Sequence, residues 1–590
     1  MFLEKVNSPD DIKNLSINDL KALSKEMREL IIKKVNAIGG HMGPNLGIVE
    51  ASIAMHYVFN SPVDKIVFDV SHQCYPHKMI TGRKDGFLNP DLYLKYTGYT
   101  APEESNHDTF KIGHTSTSVS LATGIAKARD LNGEKGNVIA LIGDGSLSGG
   151  EAYEGFNNAS DLDSNIIIVV NDNEMSIAEN HGGLYKNLKD LRDSNGKVEC
   201  NFFKSLGFEY FYLDEGNDIE KLIQMFNKVK DTNKSVVLHI HTEKGLGLPV
   251  AEQEKEKFHW ILAGTLDKKD EVIPSDYEDY DTITKDYILK KAKEDKSFIV
   301  VNPATPGVHG FDKSFRETLG KQYTDVGIAE EHAIAYTSAL AKYGAKPILA
   351  IMSSFVQRTY DQISQDLCLN NSPVTMLIYW GGISSADATH LGAFDIPFLS
   401  NIPNLVYLAP TCKEEYLAML DWSVNQNDYP VAIRMPFGKF ISSGVSDVTD
   451  YSKINKFKVE VEGEKVAILG LGNFFDLAKE LKQELKIKFG FDATLINPKF
   501  ISGIDKDLLE NLKQNHDVVV TLEDGMLNGG FGEKIASFYG NSDMKVLNYG
   551  ADKEFPDRVS LDELYNKYRL KKELIAEDVA DVLNCNCVAR

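Results

Sequence analysis

Cysteine is scarce: there are six in 590 residues, at Cys74, Cys200, Cys368, Cys412, Cys585 and Cys587, with no paired CxxC spacing. That excludes a dense disulfide framework and a thiolate metal cage, and it fits a reducing cytoplasm. Long apolar runs are missing as well. None approaches the roughly 18 residues that a membrane span requires, so a soluble protein is expected. Basic residues are outnumbered, 64 Lys and Arg against 86 Asp and Glu, for a formal net charge of -22. Nucleic acids and anionic membranes both demand a basic surface that displaces counterions, so neither is expected as a partner. Any anionic substrate must then be gripped by a local basic pocket. The opening stretch, MFLEKVNSPDDIKNLS, has neither the apolar core of a signal peptide nor the acid-poor, Arg/Ser-rich character of a transit peptide, and predicts no export. No short solenoid period is visible.

What is present is an ordinary globular composition, 43% hydrophobic and 25% charged. The length predicts three to four domains of about 150 to 200 residues each. Apolar, β-branched runs at 65–70, 137–142, 165–170 and 235–240 each precede a helix-like segment, the alternation of a parallel α/β sheet. From 251 to 286 the composition turns charged and loses its period, which marks a linker. The pattern restarts at 297–301, 347–352, 374–379, 405–408 and 431–434. A Ser/Gly/Asp stretch at 441–452 then separates a third strand-helix series that begins at Lys465. The expected fold class is α/β, with three consecutive parallel-sheet domains at 1–285, 286–445 and 446–590.

The sharpest motif is NVIALIGDGSLSGGEAYEGFNNASDLDSNIIIVVNDNEMSI. Two apolar strands each end in a polar loop, Gly143-Asp144-Gly145 and Asn171-Asp172-Asn173. Carboxyl ends of neighbouring parallel strands open onto one crevice, so Asp144 and Asn173 can face a single ion. Magnesium takes hard oxygen ligands and commonly shares them with a bound diphosphate. Glycines allow the backbone to approach those phosphates, and Ser146 is expected to open the next helix as an anion site. An isolated Asp-Gly is usually only a turn. A GDG after one buried strand and an NDN after the next, however, resembles the thiamine-diphosphate motif of the transketolase-type enzymes. GGHMGPNLGIVE, FDVSHQCYPHKMITGR and KIGHTSTSVS extend the resemblance to the 1-deoxy-D-xylulose-5-phosphate synthase family.

The resemblance implies thiamine diphosphate and Mg2+ as cofactors, with Asp144, Asn173 and Met175 at the metal and Gly145 and Ser146 at the diphosphate. It places His41, His72 and His114 beside cofactor and substrate, with Gly113 and Thr115 giving backbone and hydroxyl contacts. The stretch EKGLGLPVAEQEKEKFHW leads to a pocket histidine, His259, and puts Leu248 where the family usually has a tyrosine against the cofactor. In YTDVGIAEEHAIAYTSALA, Glu330 matches the glutamate that hydrogen-bonds N1′ of the aminopyrimidine and promotes loss of the thiazolium C2 proton. IMSSFVQRTYDQISQD offers Phe355 to stack on that ring and Arg358 in the pocket. SSADATHLGAFD supplies Asp387 and His390 for the substrate channel. Arg434 matches an arginine on the acceptor's phosphate, a task that suits a planar, bidentate guanidinium.

KVAILGLGNFFDLAKEL looks at first like a dinucleotide-binding turn, but a GxGxxG run would need glycine at Phe475, and the strand near 493–497 lacks the ribose-binding acid. It resembles the transketolase C-terminal domain instead. Three departures from the family pattern stand out. The stretch from Asn180 to Asn201 is short, Met352 and Trp380 replace a tyrosine and an arginine at the acceptor phosphate, and ISSADATH is one residue shorter. Lys439 is a nearby cation that could compensate. The implied activity condenses pyruvate, with loss of carbon dioxide, and glyceraldehyde 3-phosphate. The alternatives are a diverged paralogue with another aldehyde acceptor, a ketose donor as in transketolase, or a non-catalytic scaffold, which would not need Glu330, Asp144 and Asn173 together. The resemblance implies a homodimer, and the cysteine usage a cytoplasmic one.

Overall fold

The computed structural model describes residues 2–267, 279–437 and 441–588. Lys439 and the side chains of Cys585 and Cys587 lie outside the described residues. Contacts divide the described chain into two compact units. One holds residues 2–267 with 304–307 and 325–329; the other holds 279–303, 308–324 and the residues from 330 onward. Among the described residues no helix is long and apolar enough to cross a membrane. The described cysteines Cys74, Cys200, Cys368 and Cys412 are free thiols.

The first unit contains strands β1 (Gly40–His41), β2 (Lys65–Phe68), β3 (Val138–Gly143), β4 (Ile167–Asp172), β5 (Glu209–Leu213), β6 (Val236–His241) and β7 (Trp260–Ile261). Five of them form an all-parallel sheet in the order β2-β3-β4-β6-β5. The unbroken Val/Ile runs are explained by burial on both faces. Ile139, Leu141, Ile167 and Val169 join one core layer, whereas Val138, Ala140, Ile168 and Val170 join the other. β1 and β7 pair antiparallel, with His41 opposite Trp260. The charged stretch after residue 251 is therefore not all linker: β7 is built in, and Leu266 N–H and Gly264 N–H are held by Asn36.

The second unit carries two sheets. Strands β8 (Phe298–Asn302), β9 (Tyr323–Asp325), β10 (Lys346–Met352), β11 (Thr375–Tyr379), β12 (Val406–Leu408) and β13 (Val431–Met435) form a sheet ordered β12-β13-β11-β10-β8-β9. Its registered pairs are parallel. Strands β14 (Lys458–Val461), β15 (Lys465–Gly470), β16 (Thr494–Asn497), β17 (His516–Met526) and β18 (Lys545–Ala551) form the third sheet, ordered β14-β16-β15-β17-β18. Here β14 runs antiparallel to β16, so the third sheet has an antiparallel edge where an all-parallel one was expected.

Candidate active site

In the first unit, β3 and β4 lie side by side with Gly143 in register with Asn171, which sets the two polar loops next to each other. Asp144 N–H donates to Asn171 O at 3.0 Å. The Asp144 carboxylate, 1% exposed, accepts from Asn173 N–H and from Asn180 Nδ2 at 2.6 Å. Burial, reinforced by the charge of Asp172, pushes the Asp144 carboxyl up to about 8. Asp172 itself is held down to about 2. Burial alone would raise it, but His239 at 2.9 Å and Arg192 at 2.5 Å outweigh burial. The side-chain oxygen of Asn173 is buried and has no hydrogen-bond partner. Gly145 packs closely on the second loop: a Cβ there would lie 3.0 Å from Ser176, so a side chain would require Ser176 to shift.

The loop bearing Gly113, His114 and Thr115 is folded against this point. Asp69 accepts Ser116 N–H at 2.8 Å and Ser118 N–H at 3.0 Å, and Ser116 Oγ donates to Ser146 O at 2.8 Å. The approach is so close that a Cβ at Gly149 would lie 2.1 Å from Ser116 Oγ.

Three histidines gather on the same unit. The ring centroids of His41 and His72 are 4.9 Å apart, those of His41 and His259 5.5 Å, and those of His72 and His259 5.3 Å. The β1–β7 pair brings His41 to His259. Asn45, fully buried, brings His41 to His72: its Nδ2 donates to both carbonyl oxygens at 2.8 Å, and its Oδ1 accepts Tyr75 N–H at 2.9 Å. Burial, then the neighbouring Lys244 and the other two rings, hold His259 well below the usual imidazole range, so it is neutral. Lys244 is itself buried and donates to Ser176 O at 2.5 Å. Burial pulls its ammonium down to about 7, against the pull of Asp144.

In the second unit, Glu330 is the first residue of the helix Glu330–Lys342 and is 3% exposed. Burial pushes its carboxyl up to about 7, and Arg358, with Nη1 3.8 Å from Oε2, only partly offsets this. Oε2 is buried without a hydrogen bond. Phe355 and His390 meet edge to face with centroids 5.8 Å apart. His390 Nδ1 lies 3.5 Å from Asp387 Oδ1, and Thr389 Oγ1 bonds both residues. Burial would raise Asp387, but His390 and Thr389 hold it well below the usual carboxylate range. The segment is pinned from the third sheet's side: Ala388 N–H donates to Asp557 at 3.1 Å and Arg558 N–H to Ala386 O at 3.0 Å.

Comparison with known proteins points to one family. The profile of 1-deoxy-D-xylulose-5-phosphate synthase matches residues 3–199 and 194–242, that of the transketolase pyrimidine-binding domain residues 279–440, and that of the transketolase C-terminal domain residues 455–575. A 1-deoxy-D-xylulose-5-phosphate synthase of Clostridium botulinum is 37% identical over 623 residues, covering 99% of this chain and 100% of that one. The corresponding protein of Caldanaerobacter subterraneus is 37% identical over 98% of each chain, and that of Francisella tularensis 34% over 98% of each. The chain belongs to the 1-deoxy-D-xylulose-5-phosphate synthase family. It has the family's transketolase-like α/β fold, and the ketose-donor alternative is not favoured.

Within this synthase-family chain, two expectations need correction. Arg434 does not present its guanidinium to a phosphate. It is 2% exposed, with Nε on Asp395 Oδ2 at 2.7 Å, Nη2 on Asp395 Oδ1 at 3.1 Å, and Nη1 on Asp524. Ser146 does not open a helix; it sits in a short 3-10 turn, Gly145–Ser148, and the helix begins at Gly150. Met352 ends β10, buried at 4% exposure, and Leu248 precedes a five-residue helix, packed on the first unit's core. Trp380 follows β11 in a left-handed backbone conformation, φ +58°, 39% exposed, with Phe437 edge-on at 5.4 Å. Asn45, Asn180 and Lys244 went unassigned in the sequence. All three fall inside or beside the quoted motifs, yet only their contacts across the fold single them out.

Proposed function

We propose that this chain joins pyruvate, with loss of carbon dioxide, to D-glyceraldehyde 3-phosphate, giving 1-deoxy-D-xylulose 5-phosphate. It is a transferase with thiamine diphosphate and Mg2+ as cofactors, working as a cytoplasmic homodimer. Its product would enter isoprenoid synthesis by the non-mevalonate route and supply thiamine and pyridoxal precursors. The observation that carries this reading is the end-to-end relation to synthases of that name, 37% identical over 99% of the chain.

The residues present fit these cofactors. A buried carboxyl pushed up to about 8 beside a buried amide oxygen with no donor is costly in an apolar setting, and a hard cation relieves both. Asp144, Asn173 and the Met175 carbonyl would hold Mg2+, Gly145 and Ser146 would contact the diphosphate, and Gly113, His114 and Thr115 would add backbone and hydroxyl contacts. Thiamine diphosphate, when bound, supplies the carbon that attacks the keto group and the electron sink for decarboxylation. Glu330, its carboxyl pushed up to about 7 and its buried Oε2 without a hydrogen bond, would hold a proton for the aminopyrimidine N1′. In this reading His41, His72 and neutral His259 would serve the substrate as donors and acceptors. His390, oriented by Asp387, would move a proton at a substrate oxygen, and Phe355 and Arg358 would contribute an aromatic face and a positive charge.

One observation favours a second reading in which the acceptor differs. Arg434 is neutralised by two carboxylates, and neither Met352 nor Trp380 is a cation. The deciding experiment is mass-spectrometric identification of products from pyruvate, thiamine diphosphate, Mg2+ and a panel of aldehydes. A pentulose phosphate from glyceraldehyde 3-phosphate alone supports the first reading, and efficient turnover only with uncharged aldehydes supports the second. Cofactor binding with no pyruvate-derived product from any aldehyde sinks both.

A further inference from the structure

The short stretch after the second polar loop does more than connect strands. The helix Gly183–Asp193 follows it, with Leu188 and Leu191 fully buried in the first unit's core. From this helix Tyr185 donates to Asp144 O at 3.2 Å and Gly145 O at 3.1 Å, and Arg192 reaches Asp172 Oδ2 at 2.5 Å. Just before the helix, Asn180 Nδ2 donates to Asp144 Oδ2 at 2.6 Å, while its own Oδ1 is buried and accepts no hydrogen bond. Asn173 Oδ1 is in the same condition, and Asn173 N–H donates to the same carboxylate.

Two buried amide oxygens without donors, both on residues bound to one buried carboxylate, form a set of hard oxygens that the protein itself leaves unsatisfied. Burying an amide oxygen without a partner is unfavourable, so such atoms are retained where something else fills the site. Asn180 holds Oδ2 of Asp144 from outside the second polar loop, and so helps to set the orientation of that carboxylate. Partners of this kind orient a metal ligand and set its affinity.

We propose that Asn180 is a positioning residue of the cation site, clamping Asp144 for the metal and adding a buried oxygen to its surroundings. The helix Gly183–Asp193 is the brace that holds this arrangement through Tyr185 and Arg192. The inference rests on the assignment of Asp144 to Mg2+ above.

The test is the Mg2+ concentration that half-saturates thiamine diphosphate binding to the full-length protein, followed by calorimetry, with electron paramagnetic resonance of Mn2+ as an independent count of bound metal. Asn180→Leu, nearly isosteric and unable to hydrogen-bond, should raise that concentration by about tenfold or more while the thermal midpoint of the cofactor-free protein stays near wild type. Asp144→Asn is the control. If it abolishes metal dependence and Asn180→Leu leaves it unchanged, the role of Asn180 is overturned and the metal assignment stands. If neither variant alters metal dependence, both fall. Should Asn180→Leu not fold, Asn180→Gln displaces the same groups by one methylene and must show the same rise; wild-type metal dependence in that variant overturns the proposal.

Discussion

Arg434 and Asp395 form a two-point ion pair in the second unit, Nε to Oδ2 at 2.7 Å and Nη2 to Oδ1 at 3.1 Å, with both side chains almost wholly out of water. Asp524 occupies the remaining Nη1. The pair joins β13 to the helix Asp395–Leu399, and Asp524 ties in β17 of the neighbouring sheet. Removing one member of such a cluster strands the others, which typically costs about 3 to 5 kcal/mol. Arg434→Met is therefore expected to lower the urea midpoint sharply. A normal midpoint with a raised KM for a phosphorylated acceptor would return Arg434 to phosphate binding.

Glu330 should leave a pH signature without any cofactor. Its folded pKa, about 7, lies above the ordinary 4.5 because burial disfavours the carboxylate. A raised acid contributes stability that is complete below the unfolded pKa and fades as pH rises through the folded one. Glu330→Gln mimics the protonated form, so the two proteins should unfold alike below about pH 4, and the variant should gain on wild type by up to about 3 kcal/mol by pH 8. Parallel pH profiles of the two thermal midpoints would contradict the burial account. With thiamine diphosphate bound, the same variant should slow C2 proton exchange, read by NMR, by about a hundredfold or more. An exchange rate equal to wild type would remove Glu330 from that role.

Strand positions were legible wherever both faces of a sheet are covered. The 137–142 and 165–170 runs became β3 and β4 with shifts of one or two residues, because burial on both sides demands unbroken Val/Ile. β5, reading EYFYL, and β14, reading KVEV, are partly exposed edge strands whose mixed composition hid them. At the site, GDG and NDN were readable because adjacent strand ends converge by topology alone. Residues that act by bridging distant segments left no such trace. Arg434 meets Asp395 and Asp524, 39 and 90 positions away, and Asn45 reaches the His72 carbonyl, 27 positions from itself, while also holding that of His41. No local spacing encodes such contacts, so a strand-end arginine read as a phosphate grip when it is an internal tie.

Asn45 offers a test of the histidine cluster. Its amide holds the His41 and His72 carbonyls and Tyr75 N–H from a fully buried position. Each buried partner left bare costs about 1 to 3 kcal/mol. Asn45→Ala is expected to lower stability and also to shift the imidazole NMR signals of His41, His72 and His259, while those of His309 and His516 in the second unit stay in place. Lower stability with all five signals unmoved would make Asn45 a general core residue.

The acceptor end is the remaining question, and Trp380 is the residue to change. The resemblance places an arginine there, whereas this chain presents an exposed indole packed edge-on to Phe437, and the Arg434 guanidinium is already committed to Asp395 and Asp524. Losing a charge-assisted contact to a phosphate weakens binding by about 1.5 to 3 kcal/mol, or about tenfold to a hundredfold in the acceptor's apparent constant. Wild type should accordingly show a modest preference for glyceraldehyde 3-phosphate over its unphosphorylated analogue in kcat/KM, and Trp380→Arg should enlarge it. Trp380 also sits at φ +58°, a conformation that disfavours a bulky side chain, so the variant is not expected to lose stability through its backbone. Comparing KM with kcat locates the effect: a restored phosphate contact lowers KM for the phosphorylated aldehyde alone. A wild-type preference of several orders of magnitude, unchanged by the arginine, would mean that other cations hold the phosphate and that Trp380 has no part in acceptor choice.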